Sequence, residues 1–159
     1  MIRPCKRIDE GKNIEAIRKE LLKNVNIILK TDFGAASGND AKKVYPITIK
    51  RIAATSLASR RNAARLFRLI RHIHAGNILE IGTSLGITTS YMALANPKAK
   101  IITLEGCPES CKIAWSNFDR LGIKKIDLIE GRFEDTLVKA FDQLGQVDLV
   151  FIDGNHRKD

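Results

Sequence analysis

The sequence predicts an α/β fold in which a doubly wound parallel sheet follows an N-terminal helical cap. From residue 77 onwards, short apolar runs alternate with segments of helical length, which favours parallel strands joined by right-handed crossovers. The glycines and carboxylates that stand out fall where these runs end, and sheets of this type bind ligands at that edge. We therefore divide the chain into a helical cap, 1–76, and a ligand-binding part, 77–159.

Helices are predicted throughout the first part. Its first apolar residues lie three and four positions apart, which predicts an amphipathic helix over 13–30. These residues are Ile14, Ile17, Leu21, Val25 and Ile28. After the aperiodic stretch TDFGAASGNDAKK, Pro46 is suited to the first turn of a short helix over 47–56. Ser59 is a candidate N-cap for a third helix, which ends at Gly76.

Buried strands and the helices between them account for the second part. Each predicted strand is a short apolar run, such as NILEIG, which is typical of a strand covered on both faces. Trp115 falls on the second of the helices, and its large apolar ring is expected in the core. The strands are predicted at 77–82, 100–105, 126–131 and 147–153, and the helices at 86–96, 109–121 and 134–144.

The charge is unevenly distributed along the chain. Residues 1–76 hold 17 Lys/Arg against 6 Asp/Glu, or +11, and residues 77–159 hold 10 against 12, or −2, which sum to +9. Few aromatic side chains accompany the basic residues, although proteins that bind single-stranded nucleic acid commonly use them for stacking. We therefore expect a solvated basic surface and no nucleic-acid partner.

Two further classes of protein are disfavoured by the sequence. No apolar run approaches the roughly 20 residues needed to cross a bilayer, and the N-terminus lacks the apolar segment of a signal peptide. Cys5, Cys107 and Cys111 cannot make a paired disulfide framework, which favours a cytoplasmic location. Cys107 and Cys111 lie four residues apart, but no second pair completes a metal site.

The first strand leads into a turn, EIGTSLG, that carries two glycines before the next helix. Gly82 and Gly86 permit positive φ angles and a close approach of a ligand to the backbone. A dinucleotide fingerprint would need glycines where Ser84 and Ile87 stand, and a P-loop would need a lysine after Gly86. The turn therefore disfavours a nicotinamide-dependent oxidoreductase and a P-loop enzyme.

E-x-G-x-x-x-G after the first strand resembles motif I of the class I S-adenosylmethionine-dependent methyltransferases, which have a Rossmann-like fold. Ser84 stands where most members have another glycine. Glu105, ending the second strand, matches the acidic residue that holds both ribose hydroxyls, a task that suits a carboxylate because it accepts two hydrogen bonds. The resemblance implies cofactor contacts from Glu80, Gly82, Thr83, Ser84, Gly86, Glu105, Gly106, Arg132, Phe133 and Asp153.

A longer pattern resembles one branch of these enzymes. LEIGTSLGITTSYMALANPKAKIITLEGCPE, followed by DLVFIDGNHRK, is similar to the O-methyltransferase-like branch that includes catechol and caffeoyl-CoA methyltransferases. This implies methylation of a hydroxyl on a small-molecule acceptor. It also implies that Asp153 faces the methionine end of the cofactor or a divalent metal such as magnesium. His156 aligns near the lysine base of the catechol enzymes, which makes both Asp153 and His156 candidate catalytic residues.

The resemblance also implies strand order 3-2-1-4 for a domain whose later strands are missing. The fourth strand, VDLVFI, would then be an apolar sheet edge, and such edges promote self-association into homo-oligomers. A non-catalytic cofactor-binding fragment is therefore an alternative to an active enzyme. An RNA methyltransferase that uses the basic N-terminal half is another, which the sequence DGNH after the fourth strand, in place of N-P-P-Y, disfavours.

Overall fold

The computed structural model describes residues 11–33 and 43–153. Helices and strands alternate over most of this length. In chain order they are α1 Lys12–Leu21, β1 Ile27–Asp32, β2 Lys43–Thr48, α2 Ile49–Ser56, α3 Arg60–Ile73, β3 Asn77–Ile81, α4 Ile87–Ala95, β4 Lys100–Glu105, α5 Pro108–Arg120, β5 Ile126–Glu130, α6 Phe133–Leu144 and β6 Leu149–Ile152.

A parallel sheet with the order β5-β4-β3-β6 forms the centre of the second part. Ile78 of β3 is in register with Ile101 of β4 and with Leu149 of β6, while Ile101 is in register with Ile126 of β5. This arrangement confirms the doubly wound α/β fold and the predicted order 3-2-1-4. After β5 the chain crosses back to place β6 on the other side of β3, so the topological switch point lies between β3 and β6. Sheets of this type bind ligands at the carboxyl ends of the strands beside such a point.

Helices cover both faces of the sheet because alternate strand residues are apolar on both sides. On one face, Ile78 and Ile101 pack in a cluster with Ile70, Met92 and Phe118 from α3, α4 and α5. On the other face, the cluster consists of Leu79, Ile102 and Leu104 with Ala140 and Leu144 of α6. The core therefore lies immediately above and below β3 and β4, the two strands that lead to the predicted site.

The predicted helix over 13–30 is wrong in its second half. α1 ends at Leu21, and Ile27–Asp32 is a strand that pairs antiparallel with Lys43–Thr48. The two strands form a two-stranded ribbon, the β1–β2 ribbon, at the side of the main fold. Helical spacing of Val25 and Ile28 was coincidental, since Val25 is 69% exposed and the β-branched run NVNIIL favours an extended strand.

Pro46 does not open a helix. It lies within β2 opposite Leu29, on a ribbon with two edges where a missing N–H is tolerated. The helix starts later, at Ile49, and Thr48 caps it by accepting a hydrogen bond of 3.3 Å from the amide of Arg51. The first part is therefore a mixture of helices and a ribbon, and not the purely helical cap that the sequence predicted.

The third predicted helix is confirmed, with a small change at its end. Ser59 accepts a hydrogen bond of 3.2 Å from the amide of Asn62, as an N-cap residue does. The helix ends at Ile73, and His74 takes the left-handed conformation there instead of Gly76. Within 11–33 and 43–153, no helix is long and apolar enough to cross a membrane.

Trp115 lies at the surface, so the prediction of a core position is wrong. Its side chain is 42% exposed, and its ring packs edge-on against the buried ring of Phe118 with 5.9 Å between centroids. One face of α5 is enough to bury Ala114 and Phe118, which leaves the adjacent position 115 facing outwards.

Candidate functional site

The turn between β3 and α4 has an unusual backbone that is fixed from the neighbouring strand. Gly82, Ser84 and Gly86 all have positive φ angles, 103°, 50° and 77°. The amides of Gly82 and Thr83 both donate to the carbonyl oxygen of Leu104, at 2.9 and 3.1 Å. The turn is therefore tied to the end of β4, and its two predicted ligand-facing glycines do adopt the conformation that favours glycine.

Gly86 has a packing role in addition to its backbone conformation. A Cβ atom at this position would lie 2.7 Å from Cε1 of Phe118 and 3.1 Å from Cβ of Ala114. The absence of a side chain therefore lets the first turn of α4 contact α5. The predicted contact of Gly86 with a cofactor stays a prediction, because the neighbours of its Cα are core side chains of the protein.

Glu105 ends β4 with its carboxylate held towards the turn. Its Oε2 accepts a hydrogen bond of 2.8 Å from the amide of Ser84, and its Oε1 accepts one of 2.9 Å from the amide of Cys107. Burial raises the pKa of Glu105, while these amides and the charge of Lys30 act in the opposite direction. A carboxylate has about four acceptor positions, so Glu105 retains capacity for the two hydroxyls of a ribose.

Glu80 lies behind the turn and is completely buried. Its Oε2 accepts hydrogen bonds of 2.5 and 2.6 Å from the hydroxyls of Thr89 and Thr103, while Oε1 has no hydrogen-bond partner among the described residues. Burial raises the pKa of Glu80 to about 7, and the negative charges of Asp153 and Glu105 act in the same direction. Glu80 thus links β3, α4 and β4 beneath the site.

Thr83 joins the same network. Its hydroxyl lies 2.6 Å from the hydroxyl of Thr103, which in turn donates to Glu80. Both threonines are buried. Because Thr103 donates its one hydroxyl hydrogen to Glu80, it accepts the hydrogen bond from Thr83. These hydrogen bonds hold the turn to the strands beneath it, which the sequence motif alone did not indicate.

Asp153 directly follows β6, beside the end of β3. Its amide donates a hydrogen bond of 2.9 Å to the carbonyl oxygen of Ile81, and its charge acts on Glu80. Asp153 is therefore brought together with Glu80 and Glu105 at the carboxyl edge of the sheet. His156, the other candidate catalytic residue, lies outside the described residues.

Arg132 and Phe133 lie beyond β5, at the start of α6. Arg132 is the N-cap residue, and Phe133 begins the helix and packs against the cluster that contains Leu104. The amide of Gly131 donates to the carbonyl oxygen of Glu105 at 3.0 Å. This bond places the segment 131–133 beside the end of β4. The cofactor contacts of Arg132 and Phe133 stay predictions.

Phe33 lies beside the candidate site, and the sequence interpretation missed it. Its ring contacts Gly106, where an added Cβ would lie 2.8 Å from Cδ2, and the Arg132 guanidinium carbon lies 5.8 Å from the ring centroid. Phe33 stands in an aperiodic stretch with no strand-end signal, and β1 itself was interpreted as helix. The one available signal was an aromatic residue in a glycine-bearing loop.

Residues 32–158 match a model of the O-methyltransferase family, which is most of the chain. The chain belongs to the O-methyltransferase family. This agrees with the parallel sheet and with the turn that ends at Gly86. It also confirms the family resemblance that the sequence motifs indicated.

Catechol O-methyltransferases are among the curated relatives of this chain. It is 35% identical to one from Niastella koreensis over 98 residues, which cover 59% of this chain and 44% of the relative. It is 36% identical to one from Mycobacterium tuberculosis over 85 residues, which cover 52% of this chain and 38% of the relative. The chain therefore spans less than half the length of these two proteins.

Solved O-methyltransferases have the same fold. The enzyme from Bacillus cereus, crystallised with S-adenosylhomocysteine, is 27% identical with a TM-score of 0.60, over 67% of this chain and 51% of that one. The enzyme of tomaymycin synthesis from Streptomyces achromogenes, crystallised with S-adenosylmethionine, is 30% identical with a TM-score of 0.59, over 63% of this chain and 46% of that one.

Proposed function

We propose that the protein is an S-adenosylmethionine-dependent methyltransferase that methylates a hydroxyl of a small-molecule acceptor. The observation that carries the proposal is the carboxylate of Glu105, held at the end of β4 by the amides of Ser84 and Cys107. A fixed carboxylate beside a turn of positive φ angles is suited to a ribose diol. Solved members of the family contain S-adenosylmethionine or S-adenosylhomocysteine, which supports the same cofactor here.

The residues of the chain would mainly bind and orient the two reactants. Bound S-adenosylmethionine supplies a sulfonium methyl group, and transfer forms a C–O bond to the acceptor while the C–S bond breaks. Glu105 would fix the ribose, and the positive-φ turn would let the methionine end approach the backbone of Gly82. The proton of the acceptor hydroxyl needs a base, for which His156 is our candidate.

The described residues do not by themselves make a metal site. Asp153 is the proposed ligand for magnesium, but 11–33 and 43–153 contain no group of three His, Cys, Asp or Glu side chains placed to hold a metal ion. Magnesium at Asp153 therefore stays a proposal from the sequence.

A calorimetric titration of the chain with S-adenosylmethionine and S-adenosylhomocysteine tests the cofactor site, with NADH as a negative control. We expect saturable binding of the first two and none of NADH. Glu105→Ala should reduce affinity by at least about tenfold, since it removes charge-assisted hydrogen bonds of about 1.5–3 kcal/mol each. Glu109→Ala is the matched control, because Glu109 is an exposed carboxylate on α5 paired with Lys112.

Failure of the folded chain to bind either compound would contradict the proposal. Equal affinity of the Glu105→Ala and Glu109→Ala variants would instead contradict the role of Glu105. The second candidate is the non-catalytic cofactor-binding fragment that the sequence leaves open. Saturable cofactor binding without methyl transfer to any of a set of hydroxylated aromatic acceptors would favour the fragment.

The binding partners and the cellular location of the protein are further proposals. We propose a small-molecule acceptor and no nucleic acid, and we place the protein in the cytoplasm. The described cysteines, Cys107 and Cys111, are both buried and free, and burial raises the pKa of Cys111 to about 12. Buried free cysteines fit a reducing compartment.

A further inference from the structure

The end of β1 reaches the edge of the main sheet at the place where β4 ends. Phe33, the residue after β1, is half-buried with its ring against Gly106. An added Cβ at Gly106 would lie only 2.8 and 2.9 Å from Cδ2 and Cε2 of this ring. Only a glycine therefore allows the ring to lie this close to the backbone that follows Glu105.

Phe33 also adjoins the segment that follows β5. The guanidinium carbon of Arg132 lies 5.8 Å from the centroid of the Phe33 ring, within the range of a cation–π contact. Gly131 borders the same place, since its carbonyl oxygen is 3.7 Å from the position that a Cβ at Gly106 would take. The ring thus lies against Gly106, which follows Glu105, and beside Arg132.

The position of the ring is set by contacts of the β1–β2 ribbon with α5. The amide of Thr31 donates to Sγ of Cys107 at 3.4 Å, and the Cys107 thiol donates to the carbonyl oxygen of Leu29 at 3.7 Å. Burial raises the pKa of Glu105, and the positive charge of Lys30, which lies between Leu29 and Thr31, opposes that rise. The ribbon is therefore attached beside the carboxylate that we assign to the ribose.

We propose that Phe33 is a cofactor-site residue whose ring forms an aromatic wall for the adenine of the nucleoside. The inference rests on the proposed function, because it takes the Glu105 carboxylate as the ribose-binding group. The ring lies against Gly106, the residue after Glu105, so a nucleoside whose ribose binds Glu105 would have its base close to the ring. An adenine is an aromatic plane, so a phenyl ring and a guanidinium are both suitable surfaces for it.

The test compares Phe33→Ala, Phe33→Trp and Val44→Ala in calorimetric titrations with S-adenosylhomocysteine and with 5′-methylthioadenosine. Val44 is the matched control, because it is an exposed apolar residue on the partner strand of the same ribbon. We expect Phe33→Ala to weaken binding roughly 5- to 150-fold, the range for loss of one base–aromatic stack. Phe33→Trp and Val44→Ala should stay within about threefold of the unmodified chain.

The smaller ligand separates the nucleoside end from the amino-acid end. 5′-Methylthioadenosine keeps the adenine and ribose but lacks the amino-acid part, so Phe33→Ala should weaken its binding by the same factor. A loss confined to S-adenosylhomocysteine would overturn the proposal, because the ring would then act elsewhere on the cofactor. Circular dichroism of each variant shows whether it is folded.

A spectroscopic measurement covers the case in which Phe33→Ala does not fold. The chain has one tryptophan, so Trp115→Phe combined with Phe33→Trp leaves a single reporter at position 33. Its emission should change on saturation with S-adenosylhomocysteine, and unchanged emission would overturn the proposal. If the unmodified chain binds neither ligand, the proposed function fails as well. Binding that Glu105→Ala abolishes and Phe33→Ala leaves intact contradicts Phe33 alone.

Discussion

The buried carboxyl group of Glu80 makes the stability of the folded protein depend on pH. Its pKa is raised from 4.5 to about 7 by burial, whereas in the unfolded chain it returns to its ordinary value. The folded state therefore binds the proton more tightly, and the contribution to stability is full below pH 4.5 and lost as the pH rises to about 7. The size of the contribution is on the order of 3 kcal/mol.

Glu80→Gln should remove this part of the pH dependence, because an amide keeps the acceptor for Thr89 and Thr103 but does not ionise. Urea unfolding at about pH 5 and about pH 8, on either side of the raised pKa, measures it. At each pH, the free energy of unfolding of the unmodified chain is subtracted from that of the variant. This difference should increase by about 2–3 kcal/mol from the lower to the higher pH. A difference that is the same at both values would show that Glu80 ionises normally in the folded protein.

Individual site residues were predictable where a strand end gave them a position. Glu105 and the glycines of the turn lie where the motif placed them, since parallel strands bring their carboxyl ends together. The threonine network under Glu80 was not predictable, because it depends on Thr103 of another strand facing Thr83 and Glu80. The packing of Phe33 on Gly106 joins residues 73 positions apart and has no local signature.

The contact between α4 and α5 depends on the absence of a side chain at Gly86. Gly86→Ala would place a Cβ 2.7 Å from the Phe118 ring at a φ angle of 77°, so it adds overpacking to backbone strain. We expect a loss of about 2–4 kcal/mol in the free energy of unfolding. Gly122→Ala is the control, because Gly122 has a φ of 67° but nothing within 4 Å, and strain alone costs about 1–2 kcal/mol.

Denaturant titration of both variants gives the comparison. Equal destabilisation would show that the ring of Phe118 moves aside without cost, and that the glycine at 86 is required only for its backbone. Loss of cofactor affinity in Gly86→Ala, at a temperature where it remains folded, would add a role for the turn in binding.

At the scale of elements, sequence patterns worked best where the main sheet formed. Each predicted strand from 77 onwards is present, because an apolar run bounded by turn residues has few alternatives in a buried parallel sheet. The β1–β2 ribbon was missed. Two apolar residues three positions apart, Val25 and Ile28, are not enough to distinguish a helix from a strand. Residues 27–32 form a strand because they pair with residues 43–48, and this pairing is not visible in the local sequence.

The main sheet has an open side. Within the described part of the chain β6 pairs only with β3. Its Val150 and Ile152 are 42% and 60% exposed, on the face of the sheet where α6 covers the neighbouring strands. Apolar residues on an unpaired strand favour association between molecules. We expect the chain to form homo-oligomers at micromolar concentration, and we expect Val150→Lys with Ile152→Lys to shift it towards the monomer.

Sedimentation velocity over a range of concentrations measures the effect. The double substitution Val25→Lys and Val138→Lys adds the same charge at exposed positions elsewhere on the chain, and it should leave association unchanged. A monomeric unmodified chain would contradict the expectation, and so would an equal effect of both double variants, since added charge alone would then explain it.

The fold class and strand order of the whole molecule were predictable because alternation of strand and helix leaves few topologies. The sheet order β5-β4-β3-β6 is the one implied by the family resemblance. Where the ribbon attaches was not predictable, since its contacts with α5 involve a thiol and backbone atoms.

That attachment has a consequence for how the molecule opens. One edge of β1 is held by the sulfur of Cys107, at 3.4 and 3.7 Å, in the place where a second strand would ordinarily supply amide hydrogen bonds. Sulfur is a weak donor and a weak acceptor, so separating this edge costs less free energy than separating β3 from β4. Local unfolding should begin at the ribbon, and amide exchange at Thr31 should precede that of the central strands.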